Sequence, residues 1–160
     1  MTELVSEYPR PPRLEHSDEY IRVVVIGQTL IETRRSIRIL ETFHPPTYYF
    51  PPDVVNQDLL KPSSGRSTFC EWKGIARYFD LGSGEPRLER SIWCYPSPSE
   101  RFAEIAGWFA LYPGRMDGCW VNDEPVTAQA GGFYGGWITS RVQGPFKGCL
   151  LYTSPSPRDS

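Results

Sequence analysis

Hydrophobic and polar positions change places at short range along this chain, and no 3.6-residue apolar period runs long enough for an amphipathic helix. Tyr20-Ile-Arg-Val-Val-Val-Ile26 is rich in β-branched residues and stops at Gly27-Gln28, which predicts a strand and a tight turn, with residues 29–34 as the hairpin partner. Ser36-Ile-Arg-Ile-Leu40 alternates polar and apolar, the pattern of a half-buried strand; a short helix is the alternative. Residues 44–53 hold four prolines, each pushing its predecessor towards extended geometry. Residues 53–60 predict one or two helical turns with Asp53 as N-cap. Residues 67–79 read as one strand carrying a bulge at Gly74, followed by a turn at 82–86 and a strand over 88–95.

Residues 96–105 predict a turn and one further helical turn, and 106–112 a strongly apolar strand ended by Pro113-Gly114. Residues 116–121 and 124–127 flank Asn122-Asp123, a hairpin turn. Gly131-Gly-Phe-Tyr-Gly-Gly-Trp137 is a glycine-aromatic loop, and 138–142 a last short strand. The fold class is therefore mainly β, in many short antiparallel pieces.

Three stretches differ in character. Residues 1–19 mix charges with Pro9, Pro11 and Pro12 and predict an extended, poorly ordered arm. Residues 20–148 form one β domain. Residues 149–160 read as the in-frame translation of a transposase-type sequencing adapter, a non-native tail in place of the native C-terminus.

Composition narrows the function classes. Seventeen Lys+Arg against nineteen Asp+Glu give a net charge of −2, so no global basic field draws a nucleic acid or an anionic membrane. The apolar stretches are too short to span a bilayer, and the start carries no apolar signal region, which makes the cytoplasm the expected compartment. Aromatic residues reach 14%, with 16 Pro and 14 Gly, which fits short strands and tight turns. Among the cysteines ahead of the tail, Cys70, Cys94 and Cys119 stand far apart with no Cys-x-x-Cys pair, so neither structural zinc nor another cofactor is expected. There is no Gly-x-Ser-x-Gly elbow, no Walker A loop and no Asp-x-Asp pair.

What remains is Cys70-Glu71-Trp72-Lys73-Gly74-Ile75-Ala76-Arg77-Tyr78. On one strand, Cys70, Trp72 and Gly74 share a face and Lys73 takes the other; a bulge near Gly74 returns Tyr78 to the face of Lys73. A lysine among rings is a candidate base, imine former or anion contact, and a cysteine three residues away is a weaker candidate nucleophile. Packing is the alternative, because most Cys and Trp side chains serve cores. Trp93-Cys94-Tyr95-Pro96 and Phe133-Tyr134-Gly135-Gly136-Trp137 add rings with polar tips that suit pocket walls. Arg34-Arg35 and Arg38, extended by Arg141 and Lys147, form a basic patch able to hold an anionic group.

These segments in order, from Arg34-Arg35 through Pro45-Pro46-Thr-Tyr-Tyr-Phe-Pro-Pro-Asp53, Thr68-Phe-Cys70-Glu-Trp72-Lys73-Gly74, Trp93-Cys-Tyr95-Pro96 and Ile105–Tyr112 to Gly131–Thr139 and Gly144-Pro-Phe-Lys147-Gly148, resemble a family of small bacterial and fungal proteins classed as a domain of unknown function, number 427, also labelled nucleotidyltransferase-like. The resemblance covers residues 20–148; the family usually has Pro where Glu71 stands, and it continues past Gly148. It implies a β-tent fold of the methionine sulfoxide reductase B and cereblon thalidomide-binding type, here without structural zinc. No motif supports nucleotidyl transfer.

The expected site is one concave surface formed by Cys70, Trp72, Lys73, Tyr78, Trp93, Tyr95 and Trp137, with Arg34 and Lys147 as anion contacts and an unidentified small molecule as partner. A protein-interaction module using exposed rings is the alternative function. Whether the site reacts or only binds, and the oligomeric state, stay open at the level of sequence.

Overall fold

The computed structural model describes residues 2–65, 67–70, 72–82, 85–129 and 135–146. Sixteen short strands lie among the described residues. They run β1 (Glu3–Leu4), β2 (Arg13–Ser17), β3 (Ile21–Val25), β4 (Gln28–Thr33), β5 (Ser36–Leu40) and β6 (Thr47–Tyr49). Then follow β7 (Leu60–Pro62), β8 (Thr68–Cys70), β9 (Gly74–Leu81), β10 (Ile92–Cys94) and β11 (Phe109–Leu111). The last are β12 (Gly118–Val121), β13 (Glu124–Pro125), β14 (Thr127–Ala128), β15 (Trp137–Ile138) and β16 (Val142–Gln143). The helical pieces are single 3-10 turns or short runs of them, and none of the described helices is long and apolar enough to cross a membrane.

A four-stranded sheet has the order β13-β12-β3-β4, and a five-stranded sheet runs β11-β10-β9-β7 with β8 also paired to β9. A three-stranded sheet, β2-β5-β6, joins the latter where Phe50 and Phe109 exchange two 2.9 Å backbone hydrogen bonds. The alternation of strand side chains divides the interior. Leu81, Ile92, Cys94, Phe109 and Leu111 face one core with Ile21, Val23 and Val25. Ala76, Trp93, Tyr95 and Ala110 face a second core with Ile37, Ile39 and Tyr49.

The β3–β4 hairpin forms as its β-branched pattern predicts, Val25 pairing with Gln28 across Ile26-Gly27. The β12–β13 hairpin turns at Asn122-Asp123, with φ of +50° and +69°, the left-handed pair that a two-residue type I′ turn demands. Strand β5 is a strand rather than a helix, paired on both sides.

Three expectations are corrected. Residues 13–17 of the arm form β2, in register with β5 from Arg13–Leu40 to Ser17–Ser36, and Val5 and Tyr8 are buried. Prolines and charges hide this, because β2 offers only Leu14 to a core and depends on ladder hydrogen bonds and ion pairs. The helical turns at Pro52–Val54 and Gln57–Leu59 are real, but Asp53 caps neither; Asn56 caps the second by accepting the Asp58 N–H at 3.3 Å. Residues 67–79 are not one bulged strand but a hairpin, β8 and β9, with Cys70 opposite Gly74. Gly74 takes φ +105°, which closes the turn. The adapter-like tail lies outside the described residues.

Candidate functional site

The second core presents a layer of aromatic rings along one face of the five-stranded sheet, held by strand register. Trp93 stands opposite Tyr78 on β9 and Ala110 on β11, so the three point the same way. Tyr95 follows two residues later, and Tyr112 continues beyond β11 next to Ser91, whose carbonyl accepts the Tyr112 N–H at 3.2 Å. Ring centroids step from Tyr49 to Tyr95 at 6.4 Å, from Tyr78 to Trp93 at 6.4 Å and from Trp93 to Tyr112 at 4.7 Å. The Trp93 indole donates to the Tyr49 hydroxyl at 3.2 Å. Burial pushes the phenols of Tyr49 and Tyr95 up, so both are neutral donors at physiological pH.

At one end the β8–β9 turn delivers Lys73. Its Nζ lies 5.8 Å from the Tyr95 ring centre and 6.0 Å from that of Phe102. The turn is strapped down: the Ser99 hydroxyl donates to the Trp72 carbonyl at 2.6 Å, and the Ser99 N–H to the Lys73 carbonyl at 3.3 Å. Cys70 and Trp72 pack against the same core, both half-buried. Cys94 and Cys119 are buried, and burial pushes both thiols up, Cys119 to about 12, so both stay protonated at neutral pH.

At the other end an open cleft of about 530 Å³ lies beside Tyr78 and Tyr112. The Arg90 guanidinium sits 4.1 Å over Tyr78 and that of Arg115 4.5 Å over Tyr112. Burial together with Tyr78 pushes the Tyr112 phenol up to about 12. The Tyr78 hydroxyl is 2.9 Å from that of Thr68.

Thus Cys70, Trp72, Lys73, Tyr78, Trp93 and Tyr95 meet in one layer. Trp137 does not. Strand β15 pairs with β14, and this turns the indole into the first core, 4.9 Å from Tyr48 and 5.8 Å from Phe50. Its segment still reaches the layer through Gly135, where a Cβ would stand 2.5 Å from Trp93 Cη2. Arg34 lies in the β4–β5 turn, 5.4 Å over the Tyr20 ring and outside the layer. Lys147, like Phe133 and Tyr134, is outside the described residues. Among those described, no group of three His, Cys, Asp or Glu is placed to hold a metal ion.

The basic patch resolves differently from its expected role. Arg38 is fully buried and donates to Glu3 at 2.8 Å and to Glu15. Arg141 pairs with Glu3 at 3.0 Å and Glu19 at 2.9 Å. The cluster ties the N-terminal segment to β5 and to the approach to β16, and its own carboxylates already occupy it. Sequence reasoning missed Tyr49, Phe102, Tyr112, Arg90 and Arg115 as neighbours of the layer. Register across β9, β10 and β11 connects Tyr78, Trp93 and Tyr112, and strand pairing, not local pattern, sets it.

A search of curated proteins returns no match. The family described as a domain of unknown function, DUF427, matches residues 13–122, a span that includes β2, the β8–β9 turn, the aromatic layer and both its ends. By that match over more than half its length, the chain belongs to the DUF427 family.

Proposed function

We propose that this protein binds a small molecule against the aromatic layer, with Lys73 as the polar contact. The observation that carries this is the position of Lys73 Nζ over two ring faces, Tyr95 and Phe102. A cation held there gains from both rings and keeps donors for a ligand carbonyl or anion. Tyr95 and Trp93 supply the flat ring surface beside it; the Trp93 indole is spent on the buried Tyr49 hydroxyl, which leaves the neutral Tyr95 hydroxyl as the donor. Cys70 is the one described cysteine that is not buried, and it stands as the candidate nucleophile should the site react. In this reading the protein works in the cytoplasm on a β-tent-like frame, and nucleotidyl transfer has no supporting motif.

The test is a thermal-shift screen against metabolites, followed by titration of the hits. Hits should raise the melting temperature of the wild type. Lys73→Ala should lose that shift while its own melting temperature stays within about 2 °C, the range for a surface side chain. Unchanged ligand shifts in Lys73→Ala would remove the lysine from the site.

One observation favours a second reading, a protein-interaction surface. Phe69 and Ile75 stand directly opposite each other on the β8–β9 hairpin and are 74% and 57% exposed. Double substitution to Ser abolishes partner capture under that reading and leaves metabolite shifts unchanged under the first.

A further inference from the structure

We propose that the open cleft beside Tyr78 and Tyr112 is an oxyanion site for a small molecule carrying a phosphate-type dianion on a flat apolar body. The site stands apart from Lys73, at the opposite end of the aromatic layer, and does not rest on the function proposed there.

Charge is the first reason. Arg87, Arg90 and Arg115 line the cleft with Glu89, while the carboxylates of Glu85 and Asp117 pair with Arg87 from outside the lining. Preorganisation is the second. Arg90 and Arg115 are each laid on a tyrosine ring, at 4.1 and 4.5 Å, and those rings rest on Trp93 at 6.4 and 4.7 Å. One nitrogen of Arg115 donates to the Glu89 carbonyl at 2.8 Å and to the Arg90 carbonyl at 3.2 Å. Arg87 in turn donates to the Arg115 carbonyl at 2.7 Å. Guanidinium planes fixed in this way have already lost the rotamer freedom that anion binding otherwise removes.

Arg87 is shared with Glu85 at 2.9 Å and Asp117 at 3.5 Å, so an incoming anion competes with carboxylates there. A dianion does so better than a monoanion, which selects phosphate over a simple carboxylate. The flat body follows from the walls. Ring edges of Tyr78 and Tyr112 and the ring of Pro86 leave apolar surface, and the paired hydroxyls of Thr68 and Tyr78 offer a polar rim. At about 530 Å³ the cleft suits a small molecule.

Phenyl phosphate is the probe, titrated calorimetrically into the full-length protein at low salt beside phenol, inorganic phosphate and citrate. We expect saturable one-to-one binding of phenyl phosphate, and affinity lower by about ten-fold or more for phenol and for phosphate alone. Arg87→Ala should weaken phenyl phosphate by about ten-fold, and Arg115→Lys, which keeps the charge but loses the fork, by a similar factor. Lys73→Ala should bind as the wild type does. Circular dichroism checks that each variant is folded, and exposed Arg87 keeps the test valid if Arg115→Lys is not. Absence of saturable phenyl phosphate binding overturns the proposal, as does unchanged binding in folded Arg87→Ala. Tighter binding of citrate overturns the ligand class. Loss of phenyl phosphate binding in Lys73→Ala moves the anion to the lysine end and refutes this cleft while sustaining the other site.

Discussion

Arg38 lies between Ile37 and Ile39 on a strand buried along its whole length, and its guanidinium is out of solvent. A charge in that position is tolerable only because Glu3 and Glu15 meet it. Arg38→Met should therefore cost about 3 kcal/mol in urea unfolding, because it leaves Glu3 and Glu15 to share Arg141, which already pairs with Glu19. The sequence marks this arginine as basic but hides its partners, which come from the segment that looks least like structure. Gly135 is a second residue of this kind. A methyl group there meets Trp93 at 2.5 Å, and that indole is packed between Tyr78 and Tyr112. Gly135→Ala should destabilise by about 1–3 kcal/mol, read from the denaturation midpoint. The glycine-aromatic pattern did signal close approach to a ring; which ring depends on tertiary packing.

Among the elements, the hairpins divide by how locally they are encoded. β3–β4 and β12–β13 carry their own instructions, a β-branched run and a left-handed turn pair. Asn122 both adopts φ +50° and accepts the Tyr20 N–H through Oδ1 at 2.8 Å, linking its turn to the start of β3. Asn122→Ala should lower stability by about 1–2 kcal/mol, measured by thermal unfolding, since strain rises and a hydrogen bond is lost. The β8–β9 hairpin was illegible as such because its turn, around Trp72 and Lys73, uses no Asn-Gly or Asp-Gly signal and is fastened from outside by Ser99. That error also misplaced the faces: Lys73 reaches the rings from the turn, not from the strand. Trp137 failed for a comparable reason, since pairing with β14 decides which way β15 points.

For the whole molecule, titration behaviour follows from what is buried. Burial opposes ionisation of Glu3, but hydrogen bonds from Arg38 and Tyr8 with the charges of Arg38 and Arg141 outweigh it and bring the carboxyl down to about 2. Glu19 is lowered as well, by Tyr48, Ser17 and Arg141 against its burial. A depressed folded-state value contributes stability that is present above the ordinary carboxylate range and lost as pH falls through about 4.5 towards 2. A profile of melting temperature against pH should drop over that interval by the equivalent of a few kcal/mol, and Glu3→Gln should flatten it. The alkaline limb has the opposite origin. Burial raises the phenols of Tyr48, Tyr49 and Tyr95, so their stabilisation is complete below pH 10 and declines above it as the unfolded chain ionises. The mainly β class was legible from patterning. The division into two cores by the five-stranded sheet was not, because period-2 alternation tells that a strand has two faces but not what each one meets.

Ligand binding at this site depends on Lys73 being held against the aromatic layer. The chain has three lysines, at positions 61, 73 and 147, so selective ¹³C-lysine labelling yields a spectrum in which the ε-methylene of Lys73 can be assigned by Lys73→Arg. Lys61 is exposed and gives the solvent reference. The Lys73 signal should be displaced upfield by ring currents, restored towards the Lys61 position in Tyr95→Leu, and moved by ligands found in the thermal screen. A Lys73 signal that coincides with that of Lys61, and that neither Tyr95→Leu nor any ligand shifts, contradicts that placement of Lys73.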